Sequence, residues 1–496
     1  MPPAFFPDLH TFSSRWSRGE NQAVWCRVLN DCDTPVSAML KLSANGHMPF
    51  LLESVEGGVV RGRYSFIGRD PDLLWRARGD VAEINRAPAL GEQGYIKEPC
   101  APLASLRTLL AETTLQGDNL PQPLAAGLFG YLGYEFIRQF EKAVPAPHGP
   151  ALLDHDALLL RPQLLVIVDQ IESHFTLVAP CWAHGKQNAD DAYRHATERL
   201  QAALRELQQP LPLETVREKS PTLPAPSSNM TEQQFVDIVT KAKEYIAAGD
   251  VFQVVLSQRL SVPFSHSALS LYRSIRRHDP SPFLFCFDFG GHAVVGSSPE
   301  ILVRVRDGKI TVRPIAGTRP RGMGNHTDAE LAADLLADPK ERAEHLMLVD
   351  LGRNDVGRVA KTGTVKVDAL YTIEHYRHVM HLVSQVSGEL RADADMLDAL
   401  LAGFPAGTVS GAPKIRAMQI IEQLEPTARG LYAGCVGYFG ANGNMDTCIA
   451  IRTALLKNNQ LYVQAGAGIV HDSVPQSEYQ ETLAKARSLL RAAAAV

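Results

Sequence analysis

The sequence predicts an α+β fold in which large antiparallel sheets pack together with helices on the outside. Three observations predict it. Stretches that alternate apolar and polar residues, as half-buried strands do, occur in both halves of the chain. Two of these stretches fold back at tight turns that contain glycine, one around Gly79 and one at Asp307-Gly308. Strands and helices also mix without regular β-α-β alternation, which argues against a Rossmann-type parallel sheet.

The N-terminal part contains three well-marked elements. Residues 72–84 alternate apolar and polar side chains on either side of a turn, which predicts a hairpin. Residues 164–169 form a short apolar run that predicts a buried strand. Residues 190–207 are rich in charge with an apolar stripe at helical spacing, which predicts an amphipathic helix.

The clearest compositional break in the chain is the segment 208–230. Its sequence, QQPLPLETVREKSPTLPAPSSNM, is rich in proline and serine and has little periodicity. Such a composition is typical of a linker. We therefore predict an N-terminal part, residues 1–207, and a C-terminal part, residues 231–496.

The C-terminal part begins with a clearly delimited helix. Thr231 and Gln234 have the spacing of a capping box, an apolar stripe follows, and Gly249 is placed to end the helix. A strand is predicted at residues 253–257 and a hairpin at residues 301–315.

Two groups of residues echo one another across the two parts. The motif AGLFGY at residues 126–131 returns as AGCVGY at residues 433–438. A five-residue pattern also recurs at a constant offset: Gly68, Pro71, Leu74, Arg76 and Arg78 against Gly296, Pro299, Leu302, Arg304 and Arg306. Chance similarity between glycine-rich strands is the alternative, but we interpret the echo as two structurally related halves.

Composition excludes several classes of protein. The net charge of −5, from 49 basic and 54 acidic residues, argues against a nucleic-acid binder held by bulk charge. Seven scattered cysteines without a CxxC pair predict neither a disulfide framework nor a zinc site. The N-terminus lacks the pattern of a signal peptide, and no apolar run is long enough to span a bilayer. We expect a soluble cytoplasmic protein that binds neither nucleic acid nor membranes.

The segment 465–486 combines groups that suit a metal-assisted anion site. Small residues at 466–468 let a ligand approach the backbone amides. The helix-like run that follows carries Glu478, Glu481 and Lys485, whose spacing places them on one face. A glycine turn before a solvated helix is the alternative, and the segment alone does not decide between the two.

A second carboxylate pair is formed by Glu341 and Glu344, which also share one face of a predicted helix. Magnesium is commonly held by one or two protein carboxylates, water and an anionic ligand, so the two pairs could form one site. Taken singly, each pair also fits a solvated helix face.

Other candidate groups lie on predicted strands and in one loop. Residues 314–319, PIAGTR, lead a strand into a glycine, which is either a ligand contact or an ordinary strand end. His381 lies in an alternating run and could transfer protons near neutral pH, or could be structural. The loop at residues 405–414 lacks the GxxxxGK[ST] pattern and a preceding Walker-type strand, so we reject nucleotide binding.

Taken in order, the motifs resemble those of the chorismate-utilising enzymes, and within that family those of the large component (component I) of anthranilate synthase. The resemblance spans residues 51–487. Its motifs are LLES, RYSFIG, FQVVLSQR, SSPE, PIAGTRPRG, EHLMLVDLGRND, HVMHLVS, PAGTVSGAPK, GNMDTCIAIRT and AGAGIVHDSVPQSEYQET.

The resemblance implies the fold of that family and roles for individual residues. It implies Mg²⁺ held by Glu344 and Glu481. It implies catalytic proton transfer by His381, best suited to pyruvate elimination, and by Glu300 beside the leaving hydroxyl. The implied chorismate-binding residues are Gly317, Thr318, Tyr432, Arg452, Gly466, Ala467 and Gly468.

Two positions distinguish the related reactions of the family. Aminodeoxychorismate synthases typically carry a lysine where this chain has Ala316, and isochorismate and salicylate synthases a lysine where it has Gln253. Without either lysine, amination by external ammonia to anthranilate and pyruvate is expected. Component I of aminodeoxychorismate synthase is the enzymatic alternative. An inactive chorismate- or tryptophan-binding regulator is the other, although it would be expected to lose His381 or a metal glutamate.

The family also implies a partner and an effector. None of the cysteines lies in a GxCxG nucleophile turn, so a separate glutamine amidotransferase subunit is expected to supply ammonia. Feedback inhibition by L-tryptophan is implied at Ser54, Pro282, Phe283 and Leu284. We therefore expect residues 1–207 to be regulatory and residues 231–496 to be catalytic.

Overall fold

The computed structural model describes residues 3–56, 60–117, 120–183, 187–211, 224–322, 327–376 and 379–496. Within these residues every ladder between strands is antiparallel, and the ladders join all strands into one continuous network. Helices pack against this network. The predicted α+β fold with large antiparallel sheets is therefore confirmed.

The first part of the chain supplies strands that pair mostly with near neighbours in sequence. The strands are β1 (Gln22–Leu29), β2 (Phe50–Glu56), β3 (Val60–Arg78), β4 (Val81–Asn85), β5 (Tyr95–Lys97), β6 (Gly127–Leu132), β7 (Ala157–Asp169) and β8 (His174–Cys181). The helices are α1 (Leu9–Trp16), α2 (Pro35–Ser43), α3 (Pro102–Glu112) and α4 (Ala189–Leu207), with 3-10 helices at Pro88–Gly94 and Tyr134–Gln139. The predicted hairpin, with Arg78 opposite Val81, is confirmed.

The second part adds the strands and helices that surround the candidate site. The strands are β9 (Ser227–Ser228), β10 (Gln253–Pro263), β11 (Phe283–Asp288), β12 (Ala293–Ser298), β13 (Ile301–Arg306), β14 (Lys309–Val312), β15 (Ile315–Pro320), β16 (Lys366–His375), β17 (Val379–Glu389), β18 (Gly411–Ala412), β19 (Cys435–Gly440), β20 (Met445–Ile449), β21 (Thr453–Lys457) and β22 (Gln460–Ile469). The helices are α5 (Glu232–Ala247), α6 (Ala268–His278), α7 (Asp328–Ala337), α8 (Pro339–Gly357), α9 (Met396–Gly403), α10 (Gly407–Ser410), α11 (Lys414–Leu424) and α12 (Pro475–Ala494).

Local sequence signals explain several of these boundaries. Thr231 and Gln234 form the predicted capping box at the start of α5, and Gly249 follows the helix with φ +84°. The predicted hairpin at residues 301–315 is β13 and β14, with Arg306 opposite Lys309. The segment 405–414 is not a simple loop, because its residues form the short helix α10 and the strand β18, which pairs with β10.

The two echoed glycine motifs pair with each other. In the β6–β19 ladder Gly130 lies opposite Gly437, and these glycines occupy equivalent positions in the two motifs. In the two motifs Phe129 is equivalent to Val436, and Tyr131 is equivalent to Tyr438. Phe129 lies opposite Tyr438 and Tyr131 lies opposite Val436, so exchanging the two motifs converts one ladder pair into the other. An approximate two-fold axis through the glycine pair accounts for this register.

A second pair of equivalent contacts has the same symmetry. A Cβ atom on Gly68 would lie 2.2 Å from the Phe50 ring, and one on Gly296 would lie 2.3 Å from the Phe285 ring. Each phenylalanine is the ladder partner of its glycine, in the β2–β3 and β11–β12 ladders respectively. The prediction of two structurally related halves is confirmed.

Ladders also connect the two parts that flank the predicted linker. β2 pairs with β11, and β6 pairs with β19. Of the linker itself, residues 212–223 lie outside the described residues, while β9 at its end pairs with β10. The division into a regulatory and a catalytic part stays a prediction. No helix in the described ranges is long and apolar enough to cross a membrane.

Candidate active site

The C-terminal part encloses a central cavity of about 560 Å³ between β10, β22, α8 and α12. Seven of the sequence-predicted site residues border this central cavity: Glu300, Glu344, Tyr432, Arg452, Gly466, Gly468 and Glu481. Gln253 and Ala316, the two positions that distinguish the related reactions, border it as well. Residues from six separate motifs of the sequence therefore meet at one place.

The glycine strand β22 forms one wall of the central cavity. Among the described strands, its residues 464–469 pair only with β10, because the ladder with β21 ends at Val463. A β-strand presents alternate backbone groups to its two sides, so this stretch has amides that face away from β10 and can bind an anion. The side chain of Ala467 packs in the hydrophobic core, so only the backbone of that residue can contribute.

Both glycines of this wall are required by close contacts. A Cβ atom on Gly466 would lie 2.5 Å from the Tyr432 hydroxyl oxygen, and one on Gly468 would lie 2.7 Å from Nε2 of Gln253. Any larger residue would push these side chains into the cavity or out of place. The spacing of the wall therefore depends on glycine at both positions.

Arg452 and Tyr432 offer polar groups to the same cavity. Within the described residues the Arg452 guanidinium makes one long hydrogen bond, 3.4 Å to the Ser281 hydroxyl, so most of its donors are available to a ligand. The backbone of Arg452 has φ +48°, a region that non-glycine residues rarely adopt and that is concentrated at functional sites. Burial raises the pKa of the Tyr432 phenol to about 12, so this group is a neutral hydrogen-bonding partner.

A buried hydrogen-bond network fixes Tyr432 from behind. The Arg429 guanidinium lies 5.4 Å from the centre of the Tyr432 ring and donates to the Glu425 carboxylate at 2.6 and 2.9 Å. Glu425 in turn accepts from the backbone amide and the hydroxyl of Ser257. Since Arg429 is 3% exposed, this charge pair is closed to solvent and rigid.

Glu300 is a buried carboxyl group at the edge of the central cavity. Burial raises the pKa of Glu300 to about 8, although the Thr408 hydroxyl, 3.1 and 3.2 Å from its two oxygens, acts in the opposite direction. At pH 7 the side chain is therefore mainly protonated. A neutral carboxylic acid held in this way is suited to donate a proton to a leaving group.

His381 lies with Thr318 and Gly317 where β15 and β17 pair. Nδ1 of His381 is 3.2 Å from the Gly317 carbonyl oxygen and 3.0 Å from the Thr318 hydroxyl oxygen. Burial lowers the pKa of His381 to about 4. These three residues do not border the central cavity directly, but the strand residue before Gly317, Ala316, does.

Gly317 is fixed by its backbone conformation. Its φ of +68° lies in the left-handed region, and a Cβ atom there would lie 3.0 Å from a carboxylate oxygen of Glu341. A glycine relieves both constraints. Gly317 therefore permits the bulge in β15 that brings Thr318 opposite His381.

Two helices bring carboxylates to the central cavity. Glu344 on α8 accepts a hydrogen bond from Nε2 of Gln253 at 3.3 Å, and Glu481 on α12 pairs with Lys485 at 2.8 Å. The ammonium of Lys485 also donates to the Gly466 carbonyl oxygen at 3.0 Å. The helix positions predicted from residue spacing are therefore confirmed for both pairs.

This donor set fits a magnesium ion that also binds an anionic ligand. Within the described ranges, no three His, Cys, Asp or Glu side chains lie close enough to hold a metal alone. Burial, and then the neighbouring Glu344, raise the pKa of Glu341. Burial and the nearby Glu481 likewise raise the pKa of Glu478. Crowded carboxylates of this kind are relieved by a hard cation, and Mg²⁺ commonly uses one or two of them with water and an anionic ligand.

A second cavity, of about 450 Å³, lies where β2 pairs with β11. All four residues expected to bind tryptophan border it, namely Ser54, Pro282, Phe283 and Leu284. We call it the Ser54 cavity. Ser54 lies opposite Phe283 in the ladder, and arginines 304 and 306 border the same space.

Sequence reasoning missed several partners that complete the central cavity. Thr408, which donates a hydrogen bond to Glu300, lies in the segment 405–414, where the sequence predicts only a loop. The contact of Gln253 with Glu344 joins residues far apart in the chain, so no local pattern indicates it, and the family motifs that contain Thr408, Gln253 and Glu344 were the only available signal. The contact of Lys485 with Gly466 lies within the segment 465–486, whose residues already suggest a common site.

A family model described as chorismate binding enzyme matches residues 74–491, which include the whole central cavity. The chain belongs to the chorismate-binding enzymes. This membership confirms the resemblance drawn from the motifs and agrees with the α+β fold. Among the members of this family, an anthranilate synthase component 1 from Cereibacter sphaeroides is 52% identical over 483 residues, covering 97% of this chain and 96% of the relative.

Solved structures of chorismate-binding enzymes have the same fold. Anthranilate synthase component I from Streptococcus pneumoniae superposes with a TM-score of 0.77 at 37% identity, covering 87% of this chain and 92% of that one. The menaquinone-specific isochorismate synthase of Escherichia coli superposes with a TM-score of 0.71 at 20% identity, covering 98% of each chain. The second likeness establishes the fold alone.

Proposed function

We propose that this chain is the large component of an anthranilate synthase and catalyses the first step of tryptophan biosynthesis. Chorismate and ammonia would react at the central cavity to give anthranilate, pyruvate and water. In the first step a C–N bond forms at C2 of the ring as the C4 hydroxyl leaves. In the second step the C2 proton and the enolpyruvyl group leave, and the ring becomes aromatic.

The observation that carries this proposal is the absence of a lysine at two cavity positions. Gln253 and Ala316 border the central cavity, and neither side chain can attack a ring carbon or deprotonate water. An external nitrogen nucleophile then accounts best for the chemistry. The high identity to an anthranilate synthase component 1 supports the same conclusion.

Substrate binding is assigned to the polar groups of the cavity wall. Among the described residues, Arg452 keeps donors without a partner that can form a bidentate pair with one chorismate carboxylate. The backbone amides of residues 466–468 can hold another anionic group. Tyr432 would orient one of the remaining oxygens by a hydrogen bond, and Thr318, two residues beyond the cavity residue Ala316, is proposed to reach another.

Two side chains are assigned to proton transfer. Glu300, protonated at neutral pH, would give its proton to the C4 hydroxyl and so allow it to leave as water. His381, neutral at the same pH, would accept the C2 proton during the elimination of pyruvate. The acid must be protonated and the base unprotonated at neutral pH. The raised pKa of Glu300 and the lowered pKa of His381 favour these two states.

Glu344 and Glu481 are proposed to hold Mg²⁺ together with a substrate carboxylate. When bound, the ion would neutralise charge on that carboxylate and help to fix its position. Lys485 and Gln253 would keep the two glutamates in place through the contacts described above.

Ammonia is proposed to come from a separate glutamine amidotransferase subunit. A glutaminase needs a reactive thiolate, but burial raises the pKa values of Cys435 and Cys448 well above the usual range of a thiol. None of the seven cysteines lies in a nucleophile turn. A cytoplasmic location is a further part of the proposal.

The Ser54 cavity is proposed to bind L-tryptophan as a feedback inhibitor. Its residues Pro282 to Leu284 directly follow Ser281, which accepts a hydrogen bond from Arg452 of the central cavity. A ligand that displaces this short segment would also disturb Arg452. This connection supports inhibition through weaker chorismate binding.

The direct test uses the purified chain with chorismate, Mg²⁺ and ammonium at alkaline pH while anthranilate fluorescence is recorded. We expect steady anthranilate formation that ceases when Mg²⁺ is chelated. An aminated product that keeps its enolpyruvyl group would indicate an aminodeoxychorismate synthase instead. Binding of chorismate without any product would indicate an inactive regulator.

A further inference from the structure

A third cavity, of about 770 Å³, lies among residues that the proposed reaction does not use. It is bordered by the second half of β3, by β4, and by the loops that contain His155 and His292. We call it the histidine cavity. None of its lining residues borders the central cavity or the Ser54 cavity.

The histidine cavity is the counterpart of the Ser54 cavity under the approximate two-fold symmetry. Arg76 and Arg78 border it, and they are the echo partners of Arg304 and Arg306, which border the Ser54 cavity. The residues repeated in the sequence therefore border two cavities as well as forming equivalent strands. Because the histidine cavity and the Ser54 cavity lie at equivalent places, the histidine cavity follows from the two-fold symmetry of the fold.

The ends of β2 and β11 show the same correspondence. Phe50 and Phe285, the two phenylalanines that cover glycines, are equivalent under this symmetry. Met48 and Phe283 each precede their phenylalanine by two residues and therefore correspond. Ser54 and Phe289 each follow it by four residues and correspond as well. Met48 and Phe289 border the histidine cavity, and their counterparts border the Ser54 cavity. The β2–β11 strand pair therefore has one cavity at each end.

The two histidines that border the histidine cavity are joined by the hydroxyl of Tyr131, which lies behind them and does not border it. The hydroxyl oxygen lies 2.7 Å from Nε2 of His155 and 3.1 Å from Nε2 of His292. Tyr131 is 1% exposed, and burial lowers the pKa values of both imidazoles, to about 4 for His155 and about 3 for His292. Both rings are therefore neutral at pH 7.

The single proton of this hydroxyl determines the state of both rings. The hydroxyl can donate to only one Nε2, so the other Nε2 must carry a proton and donate to the hydroxyl oxygen. One histidine then has a protonated Nδ1 and the other an unprotonated Nδ1. Within the described residues neither Nδ1 has a hydrogen-bond partner. The pair offers one donor and one acceptor.

Flat apolar surface and charged groups of both signs adjoin these nitrogens. The Phe289 ring is stacked on that of His292 with a centroid separation of 5.1 Å, and it meets the Tyr131 ring edge-on at 5.6 Å. Arg76 lies 3.6 Å from the centre of the Tyr95 ring and is paired with Glu83 and Glu92. Lys457 borders the cavity as well and lies 3.4 Å from Asp154. Aromatic surface with a few convergent polar groups is typical of a small-molecule site.

We propose that the histidine cavity is a second ligand site and binds the zwitterion of an aromatic α-amino acid. The ammonium group would donate to the unprotonated Nδ1 of one histidine. The carboxylate would accept from the protonated Nδ1 of the other and from Lys457. The aromatic ring would pack against Phe289.

This site is distinct from the proposed tryptophan site at Ser54, and the inference does not rest on the reaction at the central cavity. Because both cavities adjoin the β2–β11 strand pair, a ligand in one is placed to change the affinity of the other.

The test measures binding of L-tryptophan, L-tyrosine and L-phenylalanine to the full chain by equilibrium dialysis, up to about 1 mM free ligand. Gly291→Trp would fill the histidine cavity, because Gly291 borders this cavity and a Cβ atom there meets no atom within 4 Å. His292→Phe would keep a flat ring but remove both nitrogens. Gly357→Trp is the matched control, since its Cβ also meets no atom and Gly357 borders none of the three cavities.

We expect at least one of the three amino acids to bind to a Ser54→Phe variant, in which the Ser54 cavity is blocked. Adding Gly291→Trp should abolish that binding, His292→Phe should weaken it at least tenfold, and Gly357→Trp should leave it unchanged. In the wild-type chain Gly291→Trp should remove one equivalent of bound ligand. The inference is overturned if the Ser54→Phe variant binds none of the three, or if its binding survives Gly291→Trp. Neither result depends on whether the chain makes anthranilate.

Discussion

Nδ1 of His381 lies 3.2 Å from the carbonyl oxygen of Gly317. A carbonyl oxygen only accepts hydrogen bonds, so this contact requires the proton of the neutral imidazole to be on Nδ1. Nε2 is then unprotonated and can accept a proton. Because burial lowers the pKa of His381 to about 4, the ring is in this basic form throughout the neutral range.

Replacing His381 by alanine should therefore stop the elimination step and spare amination. We expect anthranilate formation to fall by about 10²- to 10⁴-fold, the usual contribution of a general base. An aminated intermediate that retains its enolpyruvyl group should accumulate, and liquid chromatography with mass spectrometry would detect it. Wild-type anthranilate turnover by a folded His381→Ala protein would contradict this assignment.

The pH dependence should report on Glu300. Burial raises its pKa to about 8 and the protonated form is the active one, so kcat/KM per free ammonia should fall as pH rises above about 8. His381 is already deprotonated above about pH 4, so no titration of a base is expected between pH 6 and 7. A rising limb centred near 6.5 would show that these assignments are wrong.

Glu300→Gln provides the matched variant for that profile. Glutamine keeps the size and the contact with Thr408 but cannot donate an acidic proton. We expect a loss of about 10²- to 10⁴-fold in rate and disappearance of the falling limb. If the limb persists in Glu300→Gln, another group is responsible for it.

Glu481→Gln should weaken the response to magnesium. Removing a residue that only supports a metal ligand commonly lowers metal affinity by about 10- to 100-fold. Removing a ligand itself should therefore raise the Mg²⁺ concentration for half-maximal activity by at least the same factor. Calorimetric titration of Mg²⁺ with chorismate present checks the same point without turnover. Glu244→Gln, at an exposed position of α5, is the control. An unchanged Mg²⁺ requirement in Glu481→Gln would refute the ligand role.

Ser54→Phe should make activity resistant to L-tryptophan. The phenyl ring would occupy the Ser54 cavity, which is lined at this point by Phe283 across the ladder. Activity without tryptophan should be close to wild type, since none of the residues bordering the central cavity is changed. Inhibition curves recorded over a range of tryptophan concentrations check this. A curve that coincides with that of wild type would place the effector elsewhere.

Local sequence patterns predicted individual helices and strands, because the formation of these elements depends on residues that are close together in the chain. The capping box of Thr231 and Gln234 starts α5, and helical spacing placed Glu344 and Glu481 on helices that face one cavity. The echo predicted two related halves, and the pairing of Gly130 with Gly437 confirms them. Each of these signals is contained in a short segment or in a repeated motif.

Contacts between distant segments could not be predicted in this way. The hydrogen bonds of Thr408 to Glu300 depend on the fold and have no sequence period. The same holds for the place of His381, which lies opposite Thr318 and does not border the cavity itself. The ladders of β2 with β11 and of β6 with β19 likewise join the two parts that the composition had separated at residues 208–230.

We propose that the central cavity both aminates chorismate and eliminates pyruvate. This is tested by incubating the purified chain with chorismate, Mg²⁺ and ammonium and quantifying anthranilate and pyruvate in the same samples over time. We expect equal amounts of the two products at every time point, with neither formed when ammonium is omitted. Pyruvate without anthranilate, or an aminated product without pyruvate, would contradict it.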